Sequence, residues 1–598
     1  MVNHAILHHA TTRQWWHFHT PQQILTTTRL DEVISTLAEI EYLTQRQGLY
    51  AVGFISYEAA AAFDPALKTH APTAFPLIWF GLYDSPSPQL PSPRPSPKGR
   101  GSLPQLLPLP LGEGRGEGNW GEGNWQPSIS AAAYHEAIQQ IKHYIERGDT
   151  YQVNYTFRLQ KPFTGEPYAF FQQLIQAQPT DYAAYLETES WAIASASPEL
   201  FFQLAGNHLT CRPMKGTAAR GRFLAEDNAQ AQWLQHSIKN RAENVMIVDM
   251  MRNDLGRIAE VCSVRVPQLF SLERYPTVWQ MTSTVTAETQ ASLVEVMAAL
   301  FPCASITGAP KARTMQIITE LETSPRRIYT GCIGFIAPHR QAQFNVAIRT
   351  ILLDKVTNQA EYGVGGGIVW DSDSHEEFAE CSHKAKILTM PPLPHFSLLE
   401  TMLWTPAEGY FLLQYHLQRL TNSAAYFDIP LNLAEIATAL AELVLPPMPH
   451  KIRLLVAQDG MPTYQAVSLS ASQPVSAPLR VTLAKESVNS ANRWLYHKTT
   501  QRQVYETARA QQPEGDEVIL WNERGEVTEG TITNVIIRWQ GELITPALTC
   551  GLLPGTMRAW LLEQGQIREA IITKDMFRQA AEIYLINSVR KWQVAELI

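Results

Sequence analysis

The sequence predicts a mixed α/β protein with more than one domain. Its length of 598 residues suffices for about three or four domains, and the apolar content of 45% is enough for large cores. Apolar strand-like runs, such as 76–83, and segments of helical period, such as 414–426, occur along the chain. Two proline-rich stretches interrupt these elements and indicate boundaries.

The first stretch runs from about Asp84 to Trp125 and is rich in Pro, Ser and Gly. Such a composition buries too little apolar surface to offset the entropy of ordering. It predicts a disordered insertion, residues 84–127, in a surface loop. The second stretch contains Pro391, Pro392 and Pro394 and predicts a division into residues 1–392 and 393–598.

Composition excludes several classes of protein. The net charge is −8 and the basic residues are dispersed, so we expect no nucleic-acid partner. No apolar run reaches the roughly 18 residues of a membrane span, and the first residues lack a signal-peptide pattern. The six cysteines show no CxxC spacing, which favours reduced thiols and a cytoplasmic enzyme.

Lys215 is the first candidate catalytic residue. It lies between Arg-Pro-Met and Gly-Thr, a pattern that predicts a tight backbone turn close to a ligand. A lysine whose pKa is lowered there becomes a nucleophile, whereas the alternative is a solvated loop lysine. The upstream Glu199 favours the first reading, because the pair supplies a nucleophile and a proton donor.

The first part of the chain resembles the chorismate-utilising enzymes, which include anthranilate, isochorismate and aminodeoxychorismate synthases. The matching segments follow one another in the family's order: Ser195-Ala-Ser-Pro-Glu199, Arg212-Pro-Met-Lys-Gly-Thr217, 243–257, Ser305-Ile-Thr-Gly-Ala-Pro-Lys311, Phe344-Asn-Val-Ala-Ile-Arg349, 363–368 and 376–384. The resemblance implies an α/β (α+β) domain of two packed antiparallel sheets with flanking helices.

The resemblance also implies the binding groups. Magnesium would be held by Glu243 and Glu380, with Glu377 acting through water, although a solvated acidic helix face is the alternative for the last two. The ion would bridge to one carboxylate of the substrate. The other carboxylate would meet Arg349 and Lys384, helped by Tyr329 and the N–H groups of Gly365 and Gly366.

Three positions distinguish between branches of this family. Lys215 is typical of aminodeoxychorismate synthases, whereas anthranilate synthases usually carry a small residue there. Gln152 stands where the isochorismate branch has a lysine that activates water, so water addition is not expected. Trp279-Gln280 replaces a His-His pair that is common in relatives, which further disfavours anthranilate formation.

The second part resembles the fold-type IV pyridoxal-phosphate enzymes, which include branched-chain and D-amino-acid aminotransferases and aminodeoxychorismate lyase. The matching segments are Tyr496-His-Lys-Thr-Thr-Gln-Arg502, 522–534 and 545–558. The resemblance implies a two-layered α/β domain, with Lys498 holding pyridoxal 5'-phosphate and Glu529 facing the pyridine nitrogen. The cofactor phosphate would lie at Gly555 and Thr556, clamped by Arg419.

Together the two resemblances imply 4-aminobenzoate biosynthesis, a step toward folate. Chorismate would be aminated to 4-amino-4-deoxychorismate, and the second domain would then eliminate pyruvate. None of the six cysteines lies in a Gly-x-Cys-x-Gly turn, so ammonia would come from a separate glutamine amidotransferase subunit. A homodimer through the pyridoxal-phosphate domain is also expected. Two alternatives stay open: an anthranilate-type synthase fused to a branched-chain or D-amino-acid transaminase, and an inactive metabolite sensor.

Overall fold

The structure is a computed structural model that describes residues 3–88, 125–389, 394–469 and 477–598. The chain forms two compact units. The first comprises Met1–Ala219 and Trp233–Leu393, and the second comprises Arg220–Gln232 and Pro394–Ile598. Most of the predicted insertion, and the proposed boundary between residues 392 and 393, lie outside the described residues.

The first unit contains two ten-stranded sheets in which every pairing is antiparallel. The strands are β1 (His4–His9), β2 (Gln14–His19), β3 (Gln23–Thr27), β4 (Tyr50–Ile55), β5 (Ile78–Tyr83), β6 (Ser87–Pro88), β7 (Gln126–Pro127), β8 (Gln152–Pro162), β9 (Ala184–Glu187), β10 (Trp191–Ser195), β11 (Leu200–Ala205), β12 (His208–Arg212), β13 (Met214–Ala219), β14 (Arg265–Arg274), β15 (Val278–Glu288), β16 (Gly308–Ala309), β17 (Cys332–Ala337), β18 (Gln341–Val346), β19 (Thr350–Asp354) and β20 (Gln359–Ile368). The α-helices up to residue 385 are α1 (Val33–Gln47), α2 (Ala60–Phe63), α3 (Ala131–Glu146), α4 (Pro167–Ala177), α5 (Leu224–His236), α6 (Ile238–Gly256), α7 (Leu293–Leu300), α8 (Lys311–Leu321) and α9 (Ser374–Ala385).

The two sheets have the orders β16-β8-β20-β19-β10-β9-β1-β2-β6 and β13-β15-β12-β11-β18-β17-β4-β5-β3, with β7 beside β8 and β14 beside β15. Their inner faces share one core, in which Phe18 and Ile193 of the first sheet pack with Phe54 and Phe335 of the second. The outer faces pack on helices through separate cores that contain, for example, Met251 and Ile138. Because a sheet must bury its apolar face, each of the two sheets has a core on both sides. The predicted architecture of packed antiparallel sheets with flanking helices is confirmed.

The second unit contains two sheets of its own. Its strands are β21 (Leu398–Thr405), β22 (Gly409–Tyr410), β23 (His450–Val456), β24 (Pro462–Ser468), β25 (Leu479–Leu483), β26 (Glu517–Trp521), β27 (Val527–Gly530), β28 (Asn534–Trp539), β29 (Glu542–Pro546), β30 (Arg568–Ala570), β31 (Glu582–Asn587) and β32 (Lys591–Leu597). Its later helices are α10 (Leu413–Phe427), α11 (Leu433–Glu442), α12 (Gln503–Gln511), α13 (Thr556–Glu563) and α14 (Lys574–Arg578).

The four-stranded sheet β22-β21-β23-β24 packs on α10 and α11 through apolar residues such as Met402, Ile436 and Leu454. The eight-stranded sheet has the order β27-β26-β25-β32-β31-β28-β29-β30 and closes on itself by an additional β27–β28 pairing. This closure brings the ends of β27 and β28 next to the start of α13. Among the described residues, no helix in either unit is both long and apolar enough to cross a membrane.

Candidate active sites

The first unit encloses a cavity of about 570 Å³ that collects nearly all the residues predicted for it. Its lining includes Glu199, Lys215, Glu243, Tyr329, Arg349, Gly365, Glu377, Glu380 and Lys384. Gly366 lies beside this set, because a Cβ at that position would be 2.8 Å from Glu377 Oε2. Residues separated by up to 185 positions in sequence (Glu199 to Lys384) are thus brought to one site by the antiparallel sheets.

Lys215 lies in a bulged strand and not in the tight turn that the sequence predicts. The register of β13 against β15 shifts between Met214 and Thr217, and Gly216 has a φ of +100°. A bulge with a glycine of positive φ bends a strand and redirects its side chains. The strand therefore directs Lys215 into the cavity while its flanking residues keep their pairing.

Burial lowers the pKa of Lys215 from its usual value, against an opposing effect of the nearby Glu243 carboxylate. The Asn244 amide donates a hydrogen bond to the Lys215 carbonyl over 3.3 Å, and Asn244 itself accepts one from Ser283 over 2.6 Å. The backbone of the lysine is therefore fixed by α6, and its amine is shifted toward the neutral, nucleophilic form.

Glu199 is buried in the turn between β10 and β11, with only 3% of its surface exposed. Its Oε1 accepts hydrogen bonds from Ser305 Oγ at 2.6 Å and from the Met214 N–H at 3.4 Å. Burial outweighs these bonds and raises the pKa of Glu199 to about 7. A carboxyl group with this pKa holds a proton near neutrality and can donate it in a reaction.

The predicted substrate-binding groups include one unsatisfied cation. Nη1 of Arg349 is buried without a hydrogen-bond partner, and burial lowers the pKa of this guanidinium. A carboxylate from a ligand would satisfy it.

The Tyr329 ring packs directly against Gly363, since a Cβ at that glycine would lie 2.1 Å from the ring.

Lys384 is paired with two neighbouring acceptors. Its Nζ lies 2.8 Å from Glu380 Oε1 and donates to the Gly365 carbonyl over 2.8 Å. Burial opposes protonation here, but Glu380 dominates and raises the pKa of Lys384. Lys384 therefore stays charged, and a ligand carboxylate would share it with Glu380.

The three predicted metal ligands face one cavity without forming a ready cluster. Glu377 accepts a hydrogen bond from Ser372 over 2.7 Å, and Lys384 lowers the pKa of Glu380. Among the described residues, no group of three or more His, Cys, Asp or Glu side chains is arranged to hold a metal ion. Magnesium typically uses one or two protein carboxylates and completes its shell with water and substrate, so the oxygen donors present still fit it.

The Gln152 side chain lies next to the amine of Lys215. Both groups approach Gly367, where a Cβ would lie 2.6 Å from the Gln152 amide nitrogen and 2.7 Å from Lys215 Nζ. Both polar atoms of the Gln152 side chain are buried and unpaired. An amide cannot deprotonate water, which agrees with the argument from sequence against water addition.

The second unit encloses a cavity of about 330 Å³ lined by Arg419, Lys498, Glu529, Gly555 and Thr556. These are all the residues predicted to hold the cofactor. Burial, reinforced by Arg419, lowers the pKa of Lys498 to about 8. The amine is therefore far easier to deprotonate than a surface lysine.

Glu529 is a buried carboxylate at the end of β27. Tyr505 Oη donates to its Oε1 over 2.7 Å, and the Leu553 N–H donates to the same oxygen over 3.1 Å. Burial raises the pKa of Glu529 to about 8, against the opposing effects of its hydrogen bonds from Tyr505 and Leu553 and of the charges of Lys498 and Arg502. A protonated pyridine nitrogen would add a cation beside it and stabilise the carboxylate.

The start of α13 provides a site for a phosphate. Gly555 precedes the helix, and a Cβ there would lie 1.7 Å from Asn534 Oδ1, so no larger residue fits. The N–H groups of the first turn point out of the helix end, and the dipole favours an anion. Gly555 and the free N–H groups at the start of α13 therefore form a cradle that fits a phosphate group.

Arg419 reaches this cradle as part of a buried ion pair. Its Nε and Nη2 donate to both oxygens of Glu400 over 2.9 and 2.6 Å, and its Nη1 donates to the Pro554 carbonyl over 3.2 Å. Burial would raise the pKa of Glu400, but Arg419 and His416 lower it to about 2. The pair fixes the guanidinium in the cavity that Thr556 also lines. Nothing in the sequence indicated this role for Glu400.

His497 fixes the backbone next to Lys498. Its Nε2 lies 3.2 Å from the Arg222 carbonyl and its Nδ1 lies 3.0 Å from Ser423 Oγ. A carbonyl can only accept, so Nε2 carries the proton and Nδ1 accepts from the serine. Burial lowers the pKa of His497 to about 3, so this neutral tautomer persists.

Several contributing residues were missed from the sequence. They are Asn244, Ser305, Glu400, Tyr505 and Asn534. Asn244 and Ser305 lie inside the motifs quoted above, directly beside or near predicted residues, so their position in those motifs was an available signal. Tyr505 carried no such signal, because only the fold brings α12 against β27.

Comparisons with known proteins agree with this geometry. Residues 3–390 match the family model of the chorismate binding enzymes, and residues 397–597 match that of amino-transferase class IV. The aminodeoxychorismate synthase component 1 of Salmonella typhimurium is 40% identical over 269 residues, which are 45% of this chain and 59% of that protein. The protein of the same name from Bacillus subtilis is 41% identical over 265 residues, 44% of this chain and 56% of that protein.

The match therefore spans less than two thirds of the length of these curated relatives. Among solved structures, anthranilate synthase component I from Streptococcus pneumoniae TIGR4 shares the fold, with a TM-score of 0.52 and 24% identity over 65% of this chain and 92% of that one. The chain belongs to the chorismate binding enzyme family through residues 3–390 and joins to it, at residues 397–597, a domain of the class IV aminotransferases.

Proposed function

We propose that this chain makes 4-aminobenzoate from chorismate in two reactions, one in each unit. The first is amination to 4-amino-4-deoxychorismate, and the second is elimination of pyruvate. The observation that carries the proposal is the pairing of Lys215 and Glu199 in one cavity, with the pKa of the amine lowered and that of the carboxyl raised to about 7. The relatives named aminodeoxychorismate synthase component 1 support the choice of substrate.

In the first reaction Lys215 acts as the nucleophile and Glu199 as the general acid. The amine of Lys215 attacks ring C2 of chorismate, the ring double bonds shift, and the C4–O bond breaks. Glu199 donates the proton with which the C4 hydroxyl departs as water. Ammonia then adds at C4 and the C2–N bond to Lys215 breaks, which restores the ring double bonds and the free lysine.

Positioning in this cavity depends on charge. Arg349 and Lys384 bind one carboxylate of chorismate, because Arg349 Nη1 is buried without a partner and Lys384 is held charged. Glu243 and Glu380 would hold magnesium directly and Glu377 through water, and the ion when bound would neutralise the other carboxylate.

In the second reaction Lys498 is the proton-transfer group. Bound pyridoxal 5'-phosphate acts as an electron sink for the charge left when a proton leaves the amine-bearing carbon. Lys498 removes that proton from C4, the C3–O bond breaks and the ring becomes aromatic. The departing enolpyruvate gains a proton at its methylene carbon and is released as pyruvate. Glu529 would keep the pyridine nitrogen protonated, and Arg419 with the start of α13 would hold the phosphate.

The proposal requires a source of ammonia outside this chain. A separate glutamine amidotransferase subunit would supply it, and the designation of the relatives as component 1 supports such a partner. Free ammonium should replace the partner in vitro. We also propose that the second unit forms homodimers.

Two substitutions separate the half-reactions. Lys215→Ala should abolish the consumption of chorismate while pyruvate is still released from supplied 4-amino-4-deoxychorismate. Lys498→Ala should instead accumulate 4-amino-4-deoxychorismate from chorismate. Each variant serves as the control for the other, and 4-aminobenzoate formation at the wild-type rate in both would refute the proposal.

A further inference from the structure

One side of the second cavity is lined by basic residues from the four-stranded sheet. Lys451 and Arg453 lie two positions apart on β23 and both line the cavity. The intervening Ile452 and the following Leu454 are completely buried against the helices on the other face. Strand alternation therefore commits both cations to the cavity side.

A third cation approaches from the eight-stranded sheet. Arg590 follows β31, in a turn where Ser588 Oγ donates to the Thr401 carbonyl over 3.2 Å. Thr401 is paired directly with Arg453 in the register of β21 and β23. The turn and the two basic residues of β23 therefore line the same cavity.

Two other cations of this cavity, Arg419 and Arg502, already have partners. Arg419 is paired with Glu400, and Arg502 donates to the Thr531 carbonyl over 2.5 Å and stacks on the Tyr505 ring. By contrast, the side chains of Lys451, Arg453 and Arg590 make no ion pair or hydrogen bond within the described part of the chain. Among the described residues that line the cavity, Glu529 is the one carboxylate, and Tyr505 and Leu553 already bind it.

The unpaired charge exceeds what a simple amino acid could neutralise. Arg419, Lys498 and the start of α13 serve the cofactor in the proposed function, and Arg502 is held by the Thr531 carbonyl and the Tyr505 ring. Three cations facing the same space remain. A monocarboxylate substrate would satisfy one of them, whereas two carboxylates would each find a charged donor. We propose that Lys451, Arg453 and Arg590 form a dicarboxylate-binding wall, which makes this site select substrates with two carboxylates over monocarboxylate amino acids.

This inference rests on the proposed function only for the identity of the substrate. 4-Amino-4-deoxychorismate carries one carboxylate on its ring and one on its enolpyruvyl group, so it matches the wall. Branched-chain amino acids carry one. The wall therefore favours this substrate over amino acids with a single carboxylate.

The first test uses probes that do not react. Isophthalate, with two carboxylates, and benzoate, with one, are titrated into the holoenzyme, and the absorbance of the bound cofactor reports binding in the second cavity alone. We expect isophthalate to bind about ten-fold or more tightly than benzoate, since hydrogen bonds to charged groups contribute this much. The combined variant Lys451→Gln, Arg453→Gln, Arg590→Gln should lose that preference with its cofactor spectrum unchanged.

The matched control is Lys485→Gln, which removes an exposed lysine outside the cavity and should leave the preference intact. If the combined variant fails to fold, the single substitutions and the salt dependence of the wild type decide, because added salt should weaken isophthalate more than benzoate. Equal binding of the two probes, or a preference that survives the substitutions, would refute the proposal that these three residues form a dicarboxylate-binding wall.

The second test separates the wall from the proposed function. The combined variant should raise the KM for supplied 4-amino-4-deoxychorismate about ten-fold or more and change kcat less. If the wild type prefers isophthalate but releases no pyruvate, the proposed function fails and the wall stands. If pyruvate is released with an unchanged KM in the variant, the proposed function stands and the wall fails.

Discussion

The substitution Glu199→Gln tests whether this carboxyl group carries a proton because it is buried. Only Oε1 of Glu199 makes hydrogen bonds within the described part of the chain, with Ser305 and Met214. Glutamine has the same shape and keeps an acceptor oxygen for both donors. The variant therefore removes the titrating proton with little change in packing.

The stability effect follows from the raised pKa. Glu199 has a pKa of about 7 in the folded chain, against 4.5 when unperturbed, so the folded state binds the proton more tightly. The contribution of this group to the free energy of unfolding falls as pH rises from about 4.5 and levels off above 7. The difference of roughly 2.5 pKa units amounts to about 3 kcal/mol at pH 8 but less than about 1 kcal/mol at pH 5.

Glutamine does not titrate, so the variant should be more stable than the wild type by about 3 kcal/mol at pH 8. For a unit of this size, that is about 4 °C in Tm. Thermal unfolding at pH 5 and pH 8 measures the difference, which should nearly vanish at pH 5. The same variant should consume chorismate about 10²- to 10⁴-fold more slowly, since it lacks the general acid.

Release of pyruvate from supplied 4-amino-4-deoxychorismate is the internal control and should be unchanged. If the difference in stability between the variant and the wild type is the same at both pH values, Glu199 does not have a raised pKa. Undiminished consumption of chorismate would show that it is not the acid.

Three further predictions concern single features of the two sites. Ser305→Ala removes a hydrogen bond that lowers the pKa of Glu199. The loss of chorismate-aminating activity at high pH should therefore move to higher pH when it is measured at a constant concentration of unprotonated ammonia. An unshifted pH profile contradicts this. Gly363→Ala should displace the Tyr329 ring and raise the KM for chorismate about ten-fold or more, without altering cofactor binding. An unchanged KM would mean that the ring does not contact the substrate. The rate at which the apoprotein binds pyridoxal 5'-phosphate, followed by absorbance, should rise with pH up to about 8 and then level off, because the pKa of Lys498 is about 8. A rate that still rises above pH 10 would indicate an ordinary lysine.

Much of the fold and of both sites follows from the order of the sequence motifs. The two-sheet architecture and the convergence of Glu199, Lys215 and Glu243 on one cavity were predicted through family resemblance, since periodicity alone does not specify sheet order. The bulge at Gly216 was not predicted, because a Lys-Gly-Thr segment reads equally well as a turn.

Other features depend on tertiary contacts. The pairing of Glu400 with Arg419 joins a strand to a helix, and each residue alone resembles an ordinary charged side chain. The wall likewise combines β23 with a turn after β31, which are far apart in sequence. The metal and substrate assignments around Glu243, Glu377 and Glu380 stay predictions.

Product analysis of the purified chain tests the central claim most directly. The chain is incubated with chorismate, magnesium, pyridoxal 5'-phosphate and ammonium at alkaline pH, and the products are separated and identified. We expect 4-aminobenzoate and pyruvate in equal amounts. Anthranilate as the product would contradict the role assigned to Lys215, and 4-amino-4-deoxychorismate that accumulates without 4-aminobenzoate would contradict the role assigned to Lys498.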